Sequence, residues 1–196
     1  GLHTNAVYGF LNILFKVLDE EKADYLAVAF DLKAPTFRHK MFDAYKGTRK
    51  PMPEELHEQV PLMKEVLTAM GVPILTKEGY EADDILGTIA KREQKDGYEV
   101  TILSGDRDLL QLSDTHIRIC LPKTSCGTTE VHNYYPEDVI REYQVTPEQF
   151  IEVKALMGDD IPANEGINRA IKIIAPKGCI VNPTEPSPIG AQIDCQ

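Results

Sequence analysis

Short apolar runs alternate with amphipathic helical stretches along this chain, and several of the runs end on aspartate. Ala6, Tyr8, Phe10, Leu11, Leu14, Phe15 and Leu18 recur at helical spacing, which predicts a helix over residues 4–20. Tyr25 to Phe30 is a short apolar run ending at Asp31 and reads as a buried parallel strand. Residues 32–52 are polar, basic and aromatic without clean periodicity. A second amphipathic helix is expected from Glu54 to Met70. A brief strand follows over Val72 to Thr76, with Pro73 fixing it as an edge or a strand start. Glu81 to Lys91 reads as a helix, Glu99 to Leu103 as a strand, Asp108 to Leu112 as a short helix and His116 to Leu121 as a strand. Pro136 opens one further helix, and Thr146 caps the next with Pro147 at its first position. Such alternation predicts an α/β fold with a mostly parallel sheet. Asp31, Asp106 and Asp108 then fall at strand C-terminal ends, the edge where open α/β sheets bind ligands.

Two acidic clusters stand out, Glu81-Ala82-Asp83-Asp84 and Ser104-Gly105-Asp106-Arg107-Asp108. Carboxylates grouped where strands end and helices begin repel one another. A hard divalent cation with oxygen ligands is the natural counter-charge. Two such cations about 4 Å apart can clamp the attacking and leaving oxygens of a phosphodiester. Taken singly, each aspartate also reads as a helix cap or turn former. Their clustering at one sheet edge favours the metal reading.

The net charge of −10 argues against a nucleic-acid partner only as a whole-chain sum, since a site needs local fields. Lys33, Arg38, Lys40, Lys46, Arg49 and Lys50 lie close together, opposed only by Asp43. A basic segment set against acidic ligands fits a phosphate backbone held beside a metal site; the plain alternative is a solvated basic loop. His39 and His57 have no evident partner and are expected at the surface. No apolar run approaches the roughly 20 residues of a membrane span, and no signal peptide is visible. The 196 residues suit one domain with a small appendage. Cys120, Cys126, Cys179 and Cys195 show no CxxC or zinc spacing, so reduced cytosolic thiols are expected.

Several ordered motifs carry a resemblance. They are Gly1 to Phe10, Asp31 with Thr36-Phe37-Arg38, Tyr45-Lys46-Gly47-Thr48-Arg49, Glu81 to Asp84, and Ser104 to Leu112. Together they resemble the 5′ nuclease domains of bacterial DNA polymerase I, within the flap-endonuclease superfamily. The resemblance runs to about residue 180. It implies a PIN-like (resolvase-like) sheet flanked by helices, a helical arch, and a remnant helix-hairpin-helix region. It implies a structure-selective 5′→3′ exonuclease and flap endonuclease that removes primers and serves repair. The metal ligands would be Asp31, Glu81, Asp83, Asp84, Asp106 and Asp108, holding two Mg²⁺ or Mn²⁺ ions. Lys46 and Arg49 match basic arch residues that neutralise the phosphate in the transition state. Thr36 and Arg38 would contact phosphate. Phe37 and Tyr45 would stack on an unpaired base, or else pack in the core. Partners would be DNA with 5′ flaps, nicks or RNA primers, with no membrane, in a bacterial cytoplasm at the nucleoid. Polymerase domains would follow in the intact protein.

Two departures accompany the resemblance. The family begins with a strand ending in a metal-binding aspartate, and this sequence starts downstream of it, so the chain is expected to be an N-terminally truncated fragment. After Met157 the family spaces two aspartates three apart, whereas Asp159 and Asp160 are adjacent here. Helix neighbours point about 100° apart, so at most one of them would reach a metal. The expected organisation is a catalytic core over 1–135, a divergent helical DNA-binding region over 136–180 and a Pro-rich tail over 181–196. With that first strand absent and Asp159 beside Asp160, this fragment is expected to cut DNA poorly or not at all; the competing expectations are a catalytically impaired DNA-binding remnant and a stand-alone flap endonuclease.

Overall fold

The computed structural model describes residues 1–47, 52–125 and 128–157. The chain divides into two compact units, Gly1–Leu86 and Gly87–Gln196.

In the first unit α1 (Asn5–Glu21) buries Val7, Leu14 and Val17. The buried stripe is therefore offset from the expected one, because Tyr8 and Phe15 are exposed at 69% and 50%. Thr4 makes no side-chain cap at the start of α1. A residue distant in sequence does so instead. Gln59 is 2% exposed. Its Oε1 accepts the Ala6 N–H at 2.7 Å, and its Nε2 donates to Asn5 Oδ1 at 3.0 Å. Orphan amides of a helix start are thus satisfied from another helix.

The expected single helix from Glu54 is broken into α3 (Glu54–His57) and α4 (Gln59–Ala69). Pro61 explains the break. Its ring would clash with the carbonyl four residues back, at His57, so it suits only a first helical turn.

β1 (Val28–Ala29) and β2 (Ile74–Leu75) pair in parallel, with Val28 opposite Ile74. Pro73 precedes β2 and lends its carbonyl to the Val28 N–H at 2.9 Å. The short α2 (Phe37–Met41) lies between these strands in sequence, and its Phe37 N–H donates to the Gly79 carbonyl. Gly79 has φ +84°, a turn that an L side chain would strain.

α5 (Ala82–Lys95) carries the chain across the division between units. In the second unit β3 (Val100–Leu103) pairs in parallel with β4 (Ile117–Ser125), and β4 pairs antiparallel with β5 (Thr128–Tyr134). The sequence reading contains neither β5 nor the extension of β4 past Leu121. Pro122 is tolerated in β4 because the β3 register ends at Cys120, which leaves that flank unpaired. The expected helix from Asp108 is a 3₁₀ helix, Arg107–Leu112, burying Leu109 and Leu110.

α6 (Pro136–Tyr143) starts on proline as expected, and α7 (Pro147–Met157) follows. At Thr146 the anticipated cap is reciprocal. Gln149 N–H donates to Thr146 Oγ1, and Thr146 N–H to Gln149 Oε1. Ile102, Ile117, Ile119, Val139, Phe150 and Val153 form the core of this unit. Cys120 is a buried thiol whose Sγ donates to Asn133 Oδ1. Cys126, Cys179, Cys195, the region from 158 to 180 and the 181–196 tail lie outside the described residues. Among the described residues no helix is long and apolar enough to cross a membrane.

Candidate active site

The first acidic motif is a knot of charge held by α5. Asp84 stands in the first turn of α5 and reaches back to the Glu81 N–H at 2.9 Å. The same carboxylate takes a bidentate grip from Arg38, Nη1 to Oδ2 at 2.8 Å and Nη2 to Oδ1 at 2.7 Å. Its side chain is only 8% exposed. Burial alone would push its carboxyl up. The Arg38 guanidinium and the Glu81 amide overcome that and hold it below the usual carboxylate range. Arg38 is correspondingly raised, first by its hydrogen bonds to Asp84. The Arg38 guanidinium also lies 4.5 Å from the Phe37 ring centroid, and Phe37 meets Tyr80 at 5.7 Å.

Glu81 takes two partners from the basic segment. Lys46 Nζ lies 2.8 Å from Oε1, and the Tyr45 hydroxyl donates to Oε2 at 3.2 Å. Lys46 sits 5.2 Å above the Tyr45 ring. Burial, and then the Glu81 charge, raise the Tyr45 hydroxyl above its ordinary range. Lys46 holds this place with φ +55°, a left-handed conformation that costs a non-glycine residue on the order of 1 kcal/mol. Asp31, just past β1, accepts the Ala82 N–H at 2.6 Å and so caps α5 from outside the helix. Asp83 shares the first turn of α5.

In the second unit Asp106 caps the 3₁₀ helix, accepting the Asp108 N–H at 2.8 Å, while its own N–H donates to Ser104 Oγ. Lys154 of α7 pairs with Asp108 at 2.9 Å.

Sequence reasoning located the carboxylates and missed several of their partners. The cap reading is realised at Asp31, Asp84 and Asp106. A carboxylate offers about four lone-pair sites, so capping takes up only part of its capacity. Thr36 is buried, not open to phosphate: its hydroxyl lies 2.8 Å from His39 Nδ1, and its N–H donates to the same nitrogen. His39 is therefore not a partnerless surface residue. It closes the cap of α2 and meets the Tyr45 ring edge-on at 5.1 Å. The "histidine three after threonine" spacing was the signal that would have revealed this. Phe37 is half-buried against Arg38 and Tyr80 and does not belong to the core. Lys154 carried no signal, because a lone lysine on a helix face is ordinary. Arg49, Asp159 and Asp160 lie outside the described residues.

The donor chemistry suits a hard divalent ion, since every candidate ligand offers carboxylate oxygen. Among the described residues, however, no three His, Cys, Asp or Glu side chains gather as a metal site. Arg38, Lys46 and Lys154 neutralise the motifs instead.

Residues 1–144 match the profile of the 5′-3′ exonuclease, N-terminal resolvase-like domain. A second profile, hydantoinase B/oxoprolinase, matches residues 143–195. That second match covers little of the chain, and the polymerase alignments below run through most of the same stretch. DNA polymerase I of Bacillus subtilis (strain 168) is 48% identical over 179 residues, 89% of this chain and 20% of that protein. DNA polymerase I of Bacillus caldotenax is 46% identical over 187 residues, 93% of this chain and 21% of that protein. The chain thus spans about a fifth of these relatives. Among solved structures, the T5 D15 protein co-crystallized with metal ions superposes with a TM-score of 0.64 at 26% identity. That match covers 86% of this chain and 68% of the other. T5 5′-exonuclease with divalent zinc ions bound gives 0.65 at 23% identity, a likeness of fold. With the profile spanning both acidic motifs and the basic segment, the chain belongs to the 5′-3′ exonuclease family of nucleases, through its N-terminal resolvase-like domain.

Proposed function

We propose that this chain is the nuclease portion of a DNA polymerase I-type protein, hydrolysing phosphodiesters from the 5′ side of branched or primer-bearing DNA. Its substrates would be 5′ flaps, nicks and RNA primers. Polymerase domains would follow it in the whole protein, which would work at the bacterial nucleoid. The observation that carries this reading is the joining of Arg38 and Lys46, from the basic segment, to Asp84 and Glu81 of the acidic motif. Cations suited to phosphate and carboxylates suited to a divalent ion are built into one unit.

Asp31, Glu81, Asp83, Asp84, Asp106 and Asp108 would hold Mg²⁺, two ions in the full ligand set, with Mn²⁺ as a substitute. One of Asp159 and Asp160 would complete the set. The bound cations would neutralise the phosphodiester and lower the pKa of the attacking water. Lys46 and Arg49 would meet the charge that builds on the phosphate in the transition state. Arg38 holds Asp84 and, stacked on Phe37, fixes the start of α5. Tyr45 orients Glu81 through its hydroxyl.

The test is hydrolysis of a labelled 5′-flap duplex by the purified chain in Mg²⁺, with EDTA and Ca²⁺ as controls. Release of the flap in Mg²⁺ alone is expected, at a low rate for this fragment. Binding without any metal-dependent cleavage would replace the nuclease by a DNA-binding remnant.

A further inference from the structure

Lys46 and Glu81 serve opposite halves of the proposed chemistry, one facing phosphate and the other a divalent cation. In the DNA-free structure they occupy each other. Both Glu81 oxygens are taken, one by Lys46 at 2.8 Å and one by the Tyr45 hydroxyl at 3.2 Å. Glu81 is 13% exposed and Lys46 26%. The neighbouring Arg38–Asp84 pair is built differently. It has two parallel N–H···O bonds and a third from the Glu81 amide, on a carboxylate with 8% exposure. That geometry makes a fixture. Lys46 offers Glu81 one rotatable ammonium from a turn, on a backbone held at φ +55°. Of the two pairs, it is the one able to exchange.

We propose that Lys46–Glu81 is an internal latch that couples nucleic-acid binding to metal binding. A backbone phosphate that draws Lys46 away opens Glu81 Oε1 to a divalent cation, while Tyr45 keeps Oε2. A cation at Glu81 in turn removes that carboxylate's hold on Lys46 and favours its turn toward phosphate. Each ligand removes the other's internal competitor, so each raises the other's affinity by the same factor. The chain would thus complete its metal site when DNA is in place. The inference rests on the nuclease reading, and its test is arranged to separate the two.

The probes are Mn²⁺, followed by electron paramagnetic resonance, and a fluorescent oligothymidylate, followed by anisotropy. Lys46→Met should tighten Mn²⁺ binding without DNA by about three- to fivefold, the upper range for an ion pair screened by solvent. Lys40→Met, in the same basic segment and exposed, should do so much less. In EDTA, Glu81→Gln should tighten oligothymidylate binding more than Asp43→Asn, another exposed control. Wild type should show mutual enhancement of Mn²⁺ and oligothymidylate, and Lys46→Met should shrink it. Equal shifts from each variant and its control would mean a general field effect and overturn the latch. A chain that neither binds Mn²⁺ nor cleaves a flap would sink the nuclease reading, while the EDTA arm would still decide whether Glu81 restrains Lys46.

Discussion

Glu81 and Asp84 in the first unit meet side-chain cations in partly dry surroundings, whereas Asp106 and Asp108 in the second meet backbone amides and one lysine nearer to water. The surroundings set what each carboxylate does for stability. A charge at 8% exposure would be costly alone, so Asp84 depends on Arg38. Asp108 at 48% exposure is already solvated and gains little from Lys154. The first motif therefore ties function to folding. The second would serve the proposed chemistry with small structural consequence.

Asp106→Ala is the strongest way to break this contrast. Loss of a carboxylate in the exposed motif should reduce Mg²⁺-dependent flap cleavage at least about a hundredfold, or about 2.7 kcal/mol of barrier. Stability should fall only by the ~1 kcal/mol of a helix cap. Single-turnover cleavage and urea melts read the two effects. A variant keeping more than about a tenth of wild-type rate, a loss under ~1.4 kcal/mol, would take Asp106 out of the site.

Lys46→Ala tests the first motif. It should slow the chemical step by about 10²–10³, the value of one oriented donor to transition-state charge. Binding of flap DNA should weaken far less, because that charge develops late. Normal single-turnover rates with weakened binding would demote Lys46 to a ground-state phosphate contact.

Arg38→Met should show the dependence of folding on compensation. Removing one partner of a buried pair costs about 3–5 kcal/mol. Arg38 is 29% exposed, so about 2 kcal/mol is expected after screening by solvent. Adding Asp84→Asn should recover part of the loss, since the two changes share one interaction. The pH dependence follows from the depressed Asp84 carboxyl. Its stabilisation is present above the unfolded value, about 3.9, and is lost as pH falls through the folded value. The gap between wild type and Arg38→Met should therefore be full at pH 7 and narrow in acid. A gap that widens as pH falls would contradict the pairing.

Much of this arrangement was legible in the sequence, and the illegible parts share a cause. Helix starts at Pro136 and Thr146 were readable because their signals are local. The carboxylates were readable because like charges rarely cluster by accident. Tyr25 to Phe30 reads as a full strand, yet only Val28 and Ala29 pair, since a strand exists only where a partner reaches it. Thr128 to Tyr134 alternates polar and apolar residues weakly, and its pairing with β4 supplies what propensity does not. Gln59 looks like an ordinary surface residue, and its task at α1 becomes visible only in three dimensions. The cationic partners of the acidic motifs are long-range as well, with Arg38 46 residues from Asp84. Composition placed those cations nearby, and only the fold matched each one to its carboxylate.

Lys154→Met sharpens the contrast at its weak end. The pair it breaks is 29% and 48% exposed on its two sides, with a single donor on one oxygen. Exposed pairs of this kind contribute about 0.2–1 kcal/mol, and salt screens them over roughly 8–10 Å at physiological strength. The methionine keeps most of the lysine stem's packing on α7, so the change reports the charge. Urea melts at low salt should show a loss below about 1 kcal/mol, and the difference should vanish near 0.5 M NaCl, where the Debye length is about 4 Å. Asp108 would keep its place, because Leu109 and Leu110 anchor the 3₁₀ helix and the Asp106 cap holds the Asp108 amide. A loss above about 2 kcal/mol that persists in salt would show that the second motif depends on its cation as heavily as Asp84 depends on Arg38. The distinction between the two motifs would then rest on exposure alone and not on how their charges are compensated.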